Sequence, residues 1–170
     1  MVDSTAKRIE TAIGSEQEGK IVFSTDYAEF GTPEAIKKSL IRLCERNVIV
    51  RLAHGIYYKP KFDKELGFGM LLPSLDDIAR AIARRDHSRI VPTGDYALNS
   101  LGLSTQVPAN AVYLTDGSPR RISVGKGHGI MFKHTSELKA LSFRSDLMMR
   151  IVSAMRAIGE GKITDEQKRI

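Results

Sequence analysis

The chain has 170 residues, 42% of them hydrophobic and 27% charged, a globular balance with room for one large domain or two small ones. Its formal net charge of +6 suits a polyanion, an acidic protein surface or an anionic membrane, so sign alone does not choose among them. A single cysteine excludes an internal disulfide. No run reaches the roughly 18 apolar residues that span a bilayer, and no N-terminal stretch has the charged head and apolar run of a signal peptide, so the expectation is a cytoplasmic protein.

In chain order, Ala6, Ile9, Ala12 and Ile13 recur at helical spacing between Ser4, a candidate cap, and Gly14, a stop. Residues 19–23 read as a short strand. Ser24 or Thr25 then caps a short helix through Tyr27, Ala28 and Phe30, closed by Gly31. Thr32 is a good N-cap, Pro33 stands where a missing N–H costs nothing, and Glu34 favours the positive end of the helix dipole. From there Ile36, Leu40, Leu43 and Asn47 fall on one stripe, and Glu34, Lys38, Arg42 and Glu45 on the opposite face. Cys44, at the stripe's edge, reads as a small buried hydrophobe. Residues 48–60 are two β-rich runs hinged at Ala53-His54-Gly55, with glycine to accept a positive φ.

Helix, strand, helix, helix, hairpin is the order of a winged helix-turn-helix. Between Thr32 and Lys61 there are seven Lys or Arg against two acids, and such a cluster is what affinity for closely spaced phosphates requires. In a winged helix, the helix before the hairpin enters the major groove and the wing reaches adjacent backbone. That assigns Thr32, Lys37, Lys38 and Arg42 to the reading helix, and Arg51 and His54 to the wing. Ordinary solvated basic residues on a helix and hairpin are the alternative reading.

Residues 62–72 contain Gly67 and Gly69 and end at Pro73, so they read as a connector, with a domain boundary near residue 70. The expected division is a winged-helix domain over 1–70 and an α+β domain over 71–170. Beyond the boundary, Ser74 caps a helix with Leu75, Ile78, Ala79 and Ile82 on one stripe, and a second helix runs from Gly94 or Asp95 through Leu101 to Gly102. Residues 89–91, 111–115, 121–124 and 129–133 read as strands, the last three separated by turns at Asp116-Gly117-Ser118-Pro119 and Gly125-Lys126-Gly127-His128. Leu147, Met148, Ile151, Val152, Met155 and Ile158 form the stripe of a later helix that Gly159 stops, and Thr164 is a candidate cap for a last one.

No chemistry beyond binding stands out. Gly125-Lys126-Gly127-His128-Gly129 precedes a strand and lacks the spacing of a phosphate loop. His54, His87, His128 and His134 show no metal-ligand spacing with Cys44 or with each other, so neither metal nor cofactor is expected. Without a nucleophile elbow or a clustered carboxylate pair, no catalytic residues are expected either, and the chain is not read as an enzyme. Arg84, Arg85, Arg120 and Arg121 are the candidate basic surface of the second half.

The string Ala97-Leu98-Asn99-Ser100-Leu101-Gly102-Leu103-Ser104-Thr105-Gln106-Val107-Pro108, with Tyr113-Leu114-Thr115-Asp116-Gly117 and Arg120-Arg121 after it, resembles the second domain of a family related to the AbiEi antitoxins of type IV toxin–antitoxin systems. Gly31-Thr32-Pro33, together with the run from Arg51 to Tyr57, is similar to the same family's winged helix. The resemblance implies an autorepressor of its own promoter, with duplex DNA as partner and a second domain that counters a nucleotidyltransferase toxin encoded beside it; whether the chain binds as a homodimer on DNA is left open. The alternative from another class is a winged-helix protein-interaction module without antitoxin activity. By itself, the corner from Asn99 to Pro108 suits a helix end packed by Leu98 and Leu101 with Gly102 at its left-handed cap.

Overall fold

Ser4 starts helix α1 (Thr5–Ser15) by accepting the Lys7 N–H on its hydroxyl, and the apolar spacing of the sequence puts Ile9 and Ile13 in the core. Strand β1 (Ile21–Phe23) leads into a 3₁₀ helix (Ser24–Phe30), a tighter form than the short helix expected here. Its start is fixed by Asp26, whose carboxylate accepts the Phe23 N–H at 2.8 Å, and not by Ser24 or Thr25. Helix α2 (Pro33–Glu45) begins as read, with the Thr32 hydroxyl accepting the Ala35 N–H at 3.3 Å. The computed structural model describes residues 4–65, 67–137, 142 and 145–159.

The end of α2 corrects the sequence reading. Asn47 is exposed and outside the helix, in the left-handed region at φ 57°, while the Val48 N–H reaches back to the Leu43 carbonyl at 2.9 Å. Asparagine tolerates this conformation, so here it terminates the helix in a Schellman cap and contributes nothing to the apolar stripe. The hairpin follows as β2 (Val50–Ala53) and β3 (Ile56–Tyr58), with Ala53 opposite Ile56 across the two-residue turn and Gly55 at φ 71°. β3 also pairs antiparallel with β1, giving the sheet order β1-β3-β2. Three helical elements against a three-stranded sheet in this order form a winged-helix arrangement. Ile9, Ile13, Val22, Tyr27, Leu40 and Ile49 lie at its centre, drawn from nearly every element.

Two tethers join α1 to the end of the 3₁₀ helix, just before α2. The Thr5 hydroxyl donates to the Phe30 carbonyl at 2.8 Å, and the Arg8 guanidinium lies 4.4 Å over the Phe30 ring. Gly31 is required for that approach, because a Cβ there would come within 2.4 Å of the Thr5 hydroxyl oxygen. The segment read as a connector is instead a short hairpin of β4 (Lys61–Phe62) and β5 (Met70–Leu71), anchored by the Tyr58 hydroxyl donating to the Leu71 carbonyl at 2.6 Å.

The chain is α+β, in two units, Met1–Ser74 and Leu75–Ile170. The second unit carries a mixed sheet of order β6-β7-β9-β8, from β6 (Ile90–Pro92), β7 (Asn110–Thr115), β8 (Arg120–Val124) and β9 (His128–His134). β7 and β9 are parallel, and the other pairs antiparallel. Helix α3 (Leu75–Arg85) buries Ile78, Ala79 and Ile82 as its periodicity requires, and α4 (Gly94–Ser100) ends at Gly102 as read. The Asn99-to-Pro108 corner is internally satisfied: the Asn99 amide donates to the Ser104 carbonyl at 3.1 Å, and the Ser104 hydroxyl accepts the Gln106 N–H.

Helix α5 (Asp146–Ile158) reverses the expectation for its stripe. Leu147, Met148, Ile151 and Met155 are exposed, Leu147 by 59%, and the helix turns Ser153 and Ala154 inward. Ser153 donates to the Pro92 carbonyl at 2.5 Å, a close approach to β6 that only a small side chain permits. The expected cap at Thr164 lies outside the described residues.

Candidate functional site

The buried stripe of α2 fixes which side chains project. Ile36, Ser39, Leu40 and Leu43 face inward, so Glu34, Lys37, Lys38, Ile41, Arg42 and Glu45 form the outer face. Lys37, Lys38 and Arg42 are exposed and have no ion-pair partner among the described residues, so their charge remains available to an incoming anion. Thr32, exposed just before them, accepts a backbone N–H and keeps its hydroxyl hydrogen free to donate.

Not all seven cations of the segment take part. Arg46 reaches back 2.7 Å to Glu10 of α1, and Lys59 donates to the carbonyls of Gly14 and Glu16 at the end of that helix. Both hold the fold together; the sequence offered no way to see this, since the partners lie 36 and 43–45 positions away. Arg51 and His54 are exposed on the hairpin, and the Arg51 guanidinium donates to the Ala53 carbonyl at 3.4 Å, across the irregularity in pairing between Arg51 and Ala53. That bond holds the side chain along the wing. Burial pushes the Cys44 thiol up despite the opposing charge of Arg51, so it is not a poised nucleophile.

Between the wing, the 3₁₀ helix and the outer face of α2 lies an open hollow of about 320 Å³. Ala28, Pro33, Ile36 and Tyr57 supply its apolar wall, while Lys37, Arg51 and His54 stand around it. Ile41 reaches the same hollow from the middle of the cationic face, where it is 38% exposed. Ile41 was passed over in the sequence because an apolar residue is assigned to the core by default; its place three residues after Lys38 and one before Arg42 was the available signal.

The second unit does not present its four arginines as one surface. Arg85 and Arg120 both bind the carboxylate of Asp86, and Arg120 also lies over the Phe132 ring at 5.5 Å. Arg121, next along β8, points to the opposite side of the sheet by strand alternation. Arg84 and Arg121 are exposed, while Arg85 and Arg120 are half-buried and share the Asp86 carboxylate.

A second polar cluster was not visible in the sequence. The Asp76 carboxylate receives the Tyr113 hydroxyl at 2.6 Å and the guanidinium groups of Arg80 and Arg150, each at 2.7 Å. Both arginines also bind Asp146, at 2.9 Å. Burial alone would raise the Asp76 carboxyl, but the donors from Arg80, Tyr113 and Arg150 outweigh it and hold the group below the usual carboxylate range. Two carboxylates matched by two guanidiniums leave no spare charge or open coordination position, so this network clamps α3, β7 and α5 together. Among the described residues no group of three or more His, Cys, Asp or Glu is placed to hold a metal ion, and no helix is long and apolar enough to cross a membrane.

Residues 8–170 match the DUF6088 family, a family of unknown function, and the chain belongs to it. No curated protein and no solved structure matches the chain.

Proposed function

We propose that this member of DUF6088 is a cytoplasmic DNA-binding transcriptional regulator, the autorepressing antitoxin of a type IV pair whose toxin is a nucleotidyltransferase. The observation that carries the DNA-binding half is the outer face of α2, where Lys37, Lys38 and Arg42 stand without acidic partners among the described residues, beside a wing bearing Arg51 and His54. Phosphates are spaced closely enough along a duplex for such a face to meet several at once. In this reading α2 enters the major groove, and the wing and Thr32 hold the register from the backbone.

The antitoxin half rests on the resemblance of the segment from Ala97 to Arg121 to AbiEi-type antitoxins. A reporter gene placed behind the native upstream DNA tests the first half: the full chain should lower its expression. Co-expression with the neighbouring gene tests the second, since the full chain should restore growth if that gene encodes the toxin. A chain that represses without rescuing is a plain winged-helix regulator.

One observation favours a second reading. Leu147, Met148, Ile151 and Met155 on α5 make an exposed apolar face suited to a protein partner, which supports an interaction role though not one carried by the winged helix itself. Salt separates the readings, because phosphate contacts weaken steeply as salt rises and apolar docking does not.

The wing has its own expected result. Arg51→Ala should weaken binding about tenfold, the worth of one charge-assisted hydrogen bond, on all duplex sequences alike. A change in which sequence the variant prefers would make the wing a base reader and overturn its positioning role.

A further inference from the structure

From Lys37 to Glu45 the exposed positions of α2 are Lys37, Lys38, Ile41, Arg42 and Glu45, and Ile41 alone among them is apolar. An isoleucine exposed by 38% beside Lys37, Lys38 and Arg42 keeps part of its apolar surface in water in the free protein, while its neighbours Leu40 and Leu43 fill the core side of the helix. That remaining surface gains when an apolar group arrives and displaces the water around it.

The cations decide what can arrive. Lys37 and Lys38 lie one turn before Ile41 and Arg42 adjoins it, against the one acid Glu45 a turn later, and Arg51 and His54 stand across the hollow that Ile41 enters. An apolar protein surface placed there would strip water from these charged side chains without supplying counter-charges, which is unfavourable. A duplex presents anionic phosphates for the cations and, in its major groove, one exposed apolar group, the C5 methyl of thymine.

We infer that Ile41 is a specificity-determining residue that reads a thymine methyl in the major groove, with Lys38 and Arg42 flanking it. The inference rests on the DNA-binding reading of α2 and adds to it the base edge that is recognised. The open hollow beside Ile41, walled by Ala28, Ile36 and Tyr57, leaves the side chain free to settle against the methyl without a change in backbone.

The test leaves the fold untouched by changing the DNA. Sites are selected from a random duplex pool with the full chain, and each thymine of the selected site is replaced in turn by uracil, which pairs identically and lacks only the methyl. At one thymine the wild-type affinity should fall about fourfold, the worth of one buried methyl group, and Ile41→Ala should bind the thymine and uracil duplexes equally. The slope of affinity against salt should be the same for both proteins, because no phosphate contact is lost.

Equal loss for both proteins on the uracil duplex, or a wild type indifferent to every such replacement, would overturn the assignment of Ile41 while leaving duplex binding in place. An Ile41→Ala variant that keeps the affinity and preferences of the wild type would likewise overturn it. A wild-type chain with no salt-sensitive affinity for any duplex would remove the reading on which the inference rests.

Discussion

Replacing Lys38 and Arg42 together by alanine is expected to reduce duplex affinity roughly a hundredfold, the sum of two charge-assisted contacts worth at least about 1.5 kcal/mol each. If both side chains meet phosphates, the slope of log affinity against log salt should also flatten by about 1.8 units. Stability should stay within about 0.5 kcal/mol of the wild type, because neither residue carries an ion pair within the described structure and both are exposed. This combination separates a lost contact from a lost fold. A double variant that binds as well as the wild type would show that α2 is not the reading helix, whatever else the chain binds.

The second large effect is expected in the Asp76 network. Arg150 is only 15% exposed and shares Asp76 with Arg80 and Tyr113, so Asp76→Ala would leave a mostly buried guanidinium with Asp146 alone. Losing one partner of such a pair costs about 3 kcal/mol, and the Tyr113 hydroxyl loses its acceptor as well. The same network gives the second unit a definite pH dependence. Asp76 titrates below its unfolded value of 3.8 in the folded chain, so between the two values the unfolded state holds more protons. Its contribution is therefore complete above pH 3.8 and drains away as pH falls through the folded value. Protection of amides in α3, β7 and α5, taken relative to the intrinsic exchange rate at each pH, should fall in the wild type as pH drops below 3.8. In Asp76→Asn protection should be lower at neutral pH and respond less to acid. Wild-type protection that is insensitive to acid, or a variant with unaltered protection in these three elements, would remove the clamp from the account.

What the sequence disclosed was mostly local. Thr32 and Pro33 announce the start of α2 because capping depends on three adjacent residues, and the hairpin turn is announced by Gly55 for the same reason. Lys37, Lys38 and Arg42 were legible as an outer face once the buried stripe was known, since helical period dictates both sides at once. Most of the failures were long-range. That Arg46, Lys59 and Arg120 are tied to other parts of the chain depends on tertiary approach, and charge counting treats all of them alike. Periodicity likewise gave α5 its two faces but not which one turns inward. Ser153 and Ala154 won that place because close contact with β6 favours small side chains over the larger Leu147, Ile151 and Met155. Asn47 kept the helical spacing and still lay outside the helix, because a left-handed cap can stop a pattern that spacing would continue.

The salt dependence of duplex binding by the full-length protein bears most directly on the central claim. With Lys37, Lys38, Arg42 and Arg51 facing phosphates, log affinity should fall linearly with log salt at a slope of up to about −3.6. Removing Lys38 and Arg42 should bring that slope toward half its value. A duplex affinity that is absent at low salt, or unchanged as salt rises, would contradict the assignment of this winged helix to DNA.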